Sequence, residues 1–175
     1  MPSYYAYEDR LASFQAGWPH PTSNARVHPV SLAKAGFYFD PSNDENDNAT
    51  CYLCNKMLAG WDIQADDPSN EHVDHTIRRN GVKKGCSIAI LKAGSKRILQ
   101  LGLEEGKDLV KMRKATFGKK ADKWWPYESK KGWPTADAMS KAGFHLTAEQ
   151  QGKDDVECCW CNLKLNGWVK GDDPL

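Results

Sequence analysis

The stretch Cys51-Tyr52-Leu53-Cys54, followed by His72 and Cys86, decides the fold of the first half of the chain. Three thiols and one imidazole are a complete ligand set for tetrahedral Zn²⁺, and four protein ligands leave no position for water. The sequence therefore predicts a structural zinc site and a small domain organised around it. His75 lies three residues after His72 on the same predicted helix, so the residues alone leave both histidines as candidate ligands.

The front half of this array is repeated as Cys158-Cys159-Trp160-Cys161. Cys158 and Cys161 follow Cys51 and Cys54 by the same 107 positions (158 − 51 and 161 − 54). One module is thus predicted twice. The second copy offers only Cys158 and Cys161 as metal ligands, so it is predicted to be truncated and the chain to be a piece of a longer protein. Cys159 is expected to pack as a small hydrophobe. Further pairs match at nearly constant spacing: Arg10–Phe14 with Arg113–Phe117, Trp18-Pro19 with Trp125-Pro126, Ala35–Phe37 with Ala142–Phe144, Gly60-Trp61 with Gly167-Trp168, and Asp66–Pro68 with Asp172–Pro174.

Composition limits the classes of function. The 175 residues carry 24 Lys and Arg against 23 Asp and Glu, a net charge of +1, which gives no argument for direct DNA or membrane binding. No apolar run reaches the length of a membrane span, and no secretory signal is predicted at the N-terminus. The six cysteines are therefore interpreted as reduced intracellular thiols bound to metal rather than as a disulfide framework.

The residue pattern predicts an α+β fold, a small three-stranded antiparallel sheet surrounded by helices, in two copies. Helices are expected over 5–15 and 29–35, and strands over 37–39, 49–53 and 57–63. Asp67 and Pro68 are typical of an N-cap and a first helical position, so a helix carrying both histidines should begin there. The predicted domains are 5–92 and 109–175, and the segment 93–108 between them is either a connecting helix or a flexible linker.

The residues quoted above together resemble the BIR repeat, the zinc-binding module of inhibitor-of-apoptosis proteins and of survivin-type chromosomal passenger proteins. The resemblance covers 5–92 and 109–175 and rests on the Arg-x-x-Ser-Phe, Trp-Pro, Ala-Gly-Phe, Cys-x-x-Cys, Gly-Trp, Asp-Asp-Pro and Glu-His steps. It favours His72, which follows Glu71, as the metal ligand. Thirteen residues separate His72 from Cys86, more than is usual in the family, and the insert 78–84 is predicted to be a surface loop.

The resemblance also implies a peptide-binding groove. The strand around Leu58 is expected to pair with an extended peptide by strand addition. Trp61 would form an apolar wall, and Asp66, Asp67 and Glu71 would attract the α-amino group of a peptide that begins with Ala. The alternative is that Trp61 belongs to the core and that the acidic residues cap the helix.

His75 separates two branches of the family. Survivin-like members carry His at this place to meet a phosphothreonine in the histone tail sequence Ala-Arg-Thr, whereas members that bind caspase antagonists carry Trp. Lys56 would be a useful cationic neighbour of the phosphate. The alternative for His75 is an ordinary exposed helix residue. Ala59 stands where survivin has an acid, which weakens the case for recognition of the peptide arginine.

The leading interpretation is therefore a non-enzymatic, survivin-like chromosomal passenger subunit, most similar to fungal members with two N-terminal repeats. The resemblance implies a phosphorylated histone tail, inner-centromere-protein-like and borealin-like subunits and an Aurora-type kinase complex as partners. It implies localisation to the nucleus, centromere, spindle and cytoplasm. The alternative is an inhibitor of apoptosis that binds caspases or their antagonists. An enzyme is not predicted, because each well-placed cysteine is better explained as a zinc ligand.

Overall fold

A computed structural model describes residues 4–20, 25–42, 44–118, 124–147 and 152–175. In the first repeat, helix α1 (Tyr7–Ser13) continues as a 3₁₀ turn (Phe14–Ala16), and helix α2 is Pro29–Lys34. The sheet consists of β1 (Phe37–Phe39), β2 (Ala49–Cys51) and β3 (Met57–Leu58) in the order β1-β2-β3, with both pairs antiparallel. The predicted α+β class with a three-stranded antiparallel sheet is confirmed.

Helix α3 (Pro68–Asn80) begins where the sequence predicts. Asp67 Oδ1 accepts hydrogen bonds from the amides of Ser69 (3.0 Å) and Asn70 (2.9 Å), and Pro68 occupies the first turn. The predicted surface loop over 78–84 is wrong, because α3 continues through 80 and a 3₁₀ turn (Val82–Lys84) follows. The helix ends at Gly81, because its φ of 77° lies outside the right-handed helical region.

The second and third strands are shorter than predicted. β2 ends at Cys51 because the chain turns there, with Asn55 at a φ of 57°. β3 ends at Leu58 because Gly60 takes a φ of 71° and its amide, like that of Trp61, donates to the Asp47 carboxylate rather than to a strand.

Helix α4 (Ser87–Lys92) closes the first repeat, and α6 (Val110–Thr116) opens the second. Between them lie α5 (Gly94–Gln100) and one turn of π-helix (Glu105–Leu109). The segment whose character the sequence left open is thus largely helical. Ile90, Ile98 and Leu109 are fully buried and pack together in a cluster that also includes Cys159 of the second repeat. No helix in the described ranges is long and apolar enough to cross a membrane.

The second repeat reproduces the first. Helix α7 (Ala136–Lys141) precedes a second sheet of β4 (Phe144–Leu146), β5 (Val156–Cys158) and β6 (Lys164–Leu165) in the order β4-β5-β6. Phe144 pairs with Cys158 as Phe37 pairs with Cys51.

Side-chain hydrogen bonds are repeated as well. Arg10 Nε donates to the carbonyl of Ala33 at 3.0 Å, and Arg113 Nε donates to that of Ser140 at 2.7 Å. One motif therefore folds twice into the same local arrangement.

The repeats also pack against each other. Trp124 stacks on Tyr5 with ring centroids 5.1 Å apart and lies 5.7 Å from the Tyr52 ring. Lys92 forms an ion pair with Glu157, and both side chains are mostly buried. An aromatic contact and a mostly buried ion pair thus join the two copies.

Candidate metal centre and peptide groove

Four predicted ligands meet at one point in the first repeat. The ligand atoms of Cys51, Cys54, His72 and Cys86 all lie within 4.8 Å of one another. Cys51 Sγ is 3.9 Å from Cys86 Sγ, close to the separation of about 3.8 Å expected for two thiolates on tetrahedral Zn²⁺ with Zn–S bonds of about 2.3 Å. Cys54 Sγ is 3.5 Å from His72 Nε2. The cluster therefore has the chemistry and the size to hold a metal ion.

The backbone presents the first two thiols on a tight turn after β2. The amide of Asn55 donates to the carbonyl of Cys51 at 3.0 Å, and the amide of Leu53 points to Cys51 Sγ at 3.4 Å. Asn tolerates the positive φ that this reversal needs better than most residues do. An amide directed at a sulfur stabilises the thiolate form that binds metal.

The imidazole of His72 is oriented by the protein. His72 is fully buried, and its Nδ1 donates to the carbonyl of Ala35 at 2.8 Å, which directs Nε2 toward the thiols. His75 is not part of the cluster. It lies half-exposed on α3 with Nε2 3.4 Å from Glu71 Oε2.

The electrostatics of the metal-free cluster favour a Cys51 thiolate beside a protonated His72. Burial raises the pKa of Cys51, but hydrogen bonds from Cys54, Cys86 and His72 outweigh it and bring the pKa well below the usual range. Burial lowers the pKa of His72, but hydrogen bonds to Cys51 and Cys54 outweigh it and raise the pKa to about 10. Hydrogen bonds to Cys51 and Cys54, together with burial, raise the pKa of Cys86. Metal binding would displace the protons held on His72 and Cys86.

The second copy presents only the two-thiol turn. Cys158 is half-buried and Cys161 is exposed, and Asn162 has a φ of 59°, as Asn55 has in the first copy. Within the described ranges, the first repeat alone gathers four ligands. Cys159 is buried, as predicted, with its Sγ 3.8 Å from Arg113 Nη1.

Two aspartates at equivalent places in the two repeats escaped the sequence interpretation. Asp47 Oδ1 and Oδ2 each accept a 2.9 Å hydrogen bond, from the amides of Gly60 and Trp61, and Oδ2 lies 3.0 Å from His20 Nε2. Asp154 occupies the equivalent place in the second repeat. The constant 107-position offset between Asp47 and Asp154 was the signal available in the sequence.

The predicted groove residues fall into two sets. Trp61 is 7% exposed and packs edge-on against Phe37, and Asp67 caps α3, so these side chains serve the core and the helix terminus. Asp66 Oδ2 accepts from the amide of Asp62 in the preceding turn. Glu71 and His75 are 33% and 36% exposed and form a pair on one face of α3.

Strand β3 borders this region. Lys56 and Leu58 are half-buried, and in the described part of the chain β3 pairs only with β2, so its other edge is open. An open strand edge is a template for an added strand.

These features define a class of protein: tandem small domains, each a three-stranded sheet with surrounding helices, the first built around a Cys₃His cluster. The chain belongs to the BIR family, described as the Inhibitor of Apoptosis domain, whose profile matches residues 10–78 and 113–175.

Relatives fall in both functional branches. The Chromosomal passenger complex protein bir1 of Schizosaccharomyces pombe is 31% identical over 175 residues, which is 96% of this chain and 16% of the relative. The Baculoviral IAP repeat-containing protein 5.1-B of Xenopus laevis is 47% identical over 73 residues, 42% of this chain and 44% of the relative. The Death-associated inhibitor of apoptosis 2 of Drosophila melanogaster is 29% identical over 168 residues, 95% of this chain and 30% of the relative. The chain thus spans less than half the length of each of these relatives.

Proposed function

We propose that the chain is the zinc-dependent, non-enzymatic peptide-binding region of a survivin-like chromosomal passenger subunit. The match to the chromosomal passenger protein of fission yeast supports this proposal, because it runs through both repeats. Inner-centromere-protein-like and borealin-like subunits and an Aurora-type kinase are the proposed partners, at the centromere and spindle of the nucleus and in the cytoplasm.

Zinc is the proposed metal because three thiols and one imidazole favour Zn²⁺ over hard cations. The proposed ligands are Cys51, Cys54, His72 and Cys86, which the geometry above supports. Cys158 and Cys161 are the proposed metal ligands of the second repeat. In the first repeat the ion would tie the end of β2 to α3 and the start of α4, a structural role.

The proposed ligand of the first repeat is an extended peptide with a free N-terminus, the phosphorylated histone tail. The open edge of β3 supports strand addition beside Leu58. The positively charged α-amino group of the peptide would be attracted by three carboxylates, those of Asp66, Asp67 and Glu71. Trp61 would form the apolar wall of the groove. His75 and Lys56 would face the phosphate.

The observation that carries this proposal is the position of His75, half-exposed on α3 and one turn from Glu71. The test is a titration of the full chain with a peptide starting Ala-Arg-Thr, with and without phosphate on the threonine, and with Ala-Val-Pro-Ile. We expect the phosphopeptide to bind most tightly. His75→Gln should weaken the phosphopeptide about tenfold and leave the unphosphorylated peptide unchanged, which serves as the matched control.

The second candidate function is inhibition of apoptosis through caspases or their antagonists. The match to the Drosophila inhibitor of apoptosis over 95% of the chain favours it. Preference for Ala-Val-Pro-Ile, with no effect of phosphate, would replace the chromosomal proposal with this one.

A further inference from the structure

A cavity of about 460 Å³ lies between the Cys₃His cluster and the second repeat. Its lining comes from three places: the two-thiol turn over 52–55, the segment 84–87 around the start of α4, and Ala115, Gly118 and Trp124. Two of the four clustered ligands, Cys54 and Cys86, belong to this lining. Ligand pockets in proteins measure about 300–1,000 Å³, so the cavity is large enough to bring a small molecule to the cluster.

Cys54 is the accessible ligand of the cluster. It is exposed, whereas Cys51 and His72 are fully buried and Cys86 is only 4% exposed. Cys54 Sγ lies 3.5 Å from His72 Nε2, so a molecule that contacts Cys54 from the cavity is next to the place where the ligand atoms converge. A closed site with four protein ligands has no free position, so an incoming donor atom needs a path beside one of those ligands. The cavity provides such a path at Cys54.

Trp124 forms the wall of the cavity on the side of the second repeat, and three contacts hold it in place. Its ring stacks on Tyr5 with centroids 5.1 Å apart and lies 5.7 Å from the Tyr52 ring. The ring also packs directly on the backbone of Gly118, where a Cβ would lie 2.9 Å from it. A large ring fixed in this way restricts the directions from which a molecule can approach Cys54.

We propose that this cavity is the path by which zinc enters and leaves the first repeat, and that Trp124 limits the rate of exchange. The inference rests on the proposed zinc site. During exchange, a bond from an incoming sulfur or nitrogen donor to the ion forms as the bond from Cys54 breaks, and the Cys54 thiolate keeps its electron pair. Asn55, Lys84 and Ser87 offer polar groups along the path. The expected occupant is therefore a small polar molecule with a sulfur or nitrogen donor, such as a low-molecular-weight thiol.

This path is separate from the proposed peptide groove. None of the residues proposed to bind the peptide is part of the cavity lining. The surroundings of a metal site control access to it, and here part of the surroundings comes from the second repeat. The second repeat would thereby set how fast the first repeat exchanges its metal.

The test measures zinc transfer from the zinc-loaded full chain of 175 residues to an excess of the chromogenic chelator pyridylazoresorcinol. The transfer rate should rise in proportion to chelator concentration, because the chelator reaches the ion in the folded protein. Trp124→Ala should raise the second-order rate constant about tenfold, since it removes the wall beside Cys54. Trp133→Ala is the matched control, because Trp133 is half-buried in the second repeat, stacks on Tyr127 and lies outside the cavity. It should change the rate constant less than about twofold.

Ala115→Leu gives a result of opposite sign. Ala115 is exposed on α6 and lines the cavity, so a larger side chain there narrows the path. The rate constant should fall about fivefold, whereas a loss of stability would raise the rate of zinc release. Ala12→Leu, at an exposed position of α1 outside the cavity, is the control and should stay within about twofold of the native chain.

A transfer rate that does not depend on chelator concentration would overturn the proposal, because zinc would then leave only when the repeat opens by unfolding. Equal rate constants for Trp124→Ala and Trp133→Ala would also overturn it, as would a failure of Ala115→Leu to slow the transfer. These three outcomes refute the path and leave the zinc site in place. A purified chain that binds no zinc would instead refute both the site and the path.

Discussion

Asp47 and Asp154 hold the same backbone turn in the two repeats. Asp47 accepts hydrogen bonds from the amides of Gly60 and Trp61, both at 2.9 Å, and Asp154 accepts from Gly167 at 3.1 Å and Trp168 at 2.8 Å. The third partner differs, since His20 lies beside Asp47 and the Tyr127 hydroxyl donates to Asp154. The carboxylate thus fixes where the third strand of each sheet ends.

Replacing Asp47 by Asn should destabilise the chain by about 1–3 kcal/mol at pH 7, because two backbone amides lose a charged acceptor. Burial raises the pKa of Asp47, but hydrogen bonds from Gly60, His20 and Trp61 outweigh it, so the net pKa is lowered. A lowered pKa in the folded state means that this stability is present above the unfolded value of about 3.9 and is lost as the pH falls through the folded value.

Urea unfolding at pH 7, 5 and 3 measures this effect. The gap in stability between the native chain and Asp47→Asn should narrow at pH 3. Asp44→Asn, at an exposed position, is the matched control and should leave stability within about 0.5 kcal/mol. A gap that stays constant down to pH 3 would contradict the role of the Asp47 charge.

Gly36 and Gly143 form a natural pair for testing steric fit. Both have positive φ, 95° and 100°. A Cβ at Gly36 would lie 3.2 Å from Ile88 Cγ2, whereas a Cβ at Gly143 would lie 3.8 Å from Cys158 Sγ, its nearest neighbour among the described residues. Ala at either position should cost about 1–2 kcal/mol for backbone strain, and Gly36→Ala should cost about 1 kcal/mol more for overpacking. Thermal unfolding of both variants checks the order, and equal losses would show that Ile88 moves freely aside.

The Lys92–Glu157 ion pair should couple the repeats by about 1–2 kcal/mol, because the two side chains are only 25% and 13% exposed. A double-mutant cycle with Lys92→Met and Glu157→Gln measures the coupling free energy. The exposed pair of Lys141 and Asp137 on α7 serves as the control and should give about 0.3–0.5 kcal/mol. Similar coupling energies for both pairs would be incompatible with a structural role for the ion pair between the repeats.

Replacing Cys86 by Ser should remove about one equivalent of zinc from the purified chain and unfold the first repeat. Structural zinc contributes about 10–16 kcal/mol of apparent binding energy in comparable small domains. Cys159→Ser is the matched control, because this thiol is also buried but lies outside the cluster. Metal analysis and far-UV circular dichroism give the readout. Unchanged zinc content in Cys86→Ser would exclude Cys86 as a ligand.

Local signals in the sequence were sufficient for the ligand cluster and for the start of α3. The spacing of the cysteines and the Asp67-Pro68 pair are local patterns. They can be recognised in the sequence without knowledge of tertiary contacts. The end of β3 was not readable in this way, because it depends on Asp47, 13 positions before Gly60. The loop predicted over 78–84 is wrong because its polar residues continue helix α3 until Gly81 ends it.

The packing of the two repeats against each other could not be predicted from the sequence either. Trp124 and Tyr5 are 119 positions apart (124 − 5), and no periodicity links them. Trp61 shows the same limit, since a residue assigned to a groove wall or to the core cannot be placed until the neighbouring Phe37 is known.

The Tyr52 ring lies within the two-thiol turn, with the Arg10 guanidinium on it and Trp124 of the other repeat against it. Loss of the proposed zinc ion would therefore affect the second repeat as well as the first. If the turn loosens, the Tyr52 ring no longer supports Trp124, so both repeats should lose stability over one narrow range of free zinc rather than in succession.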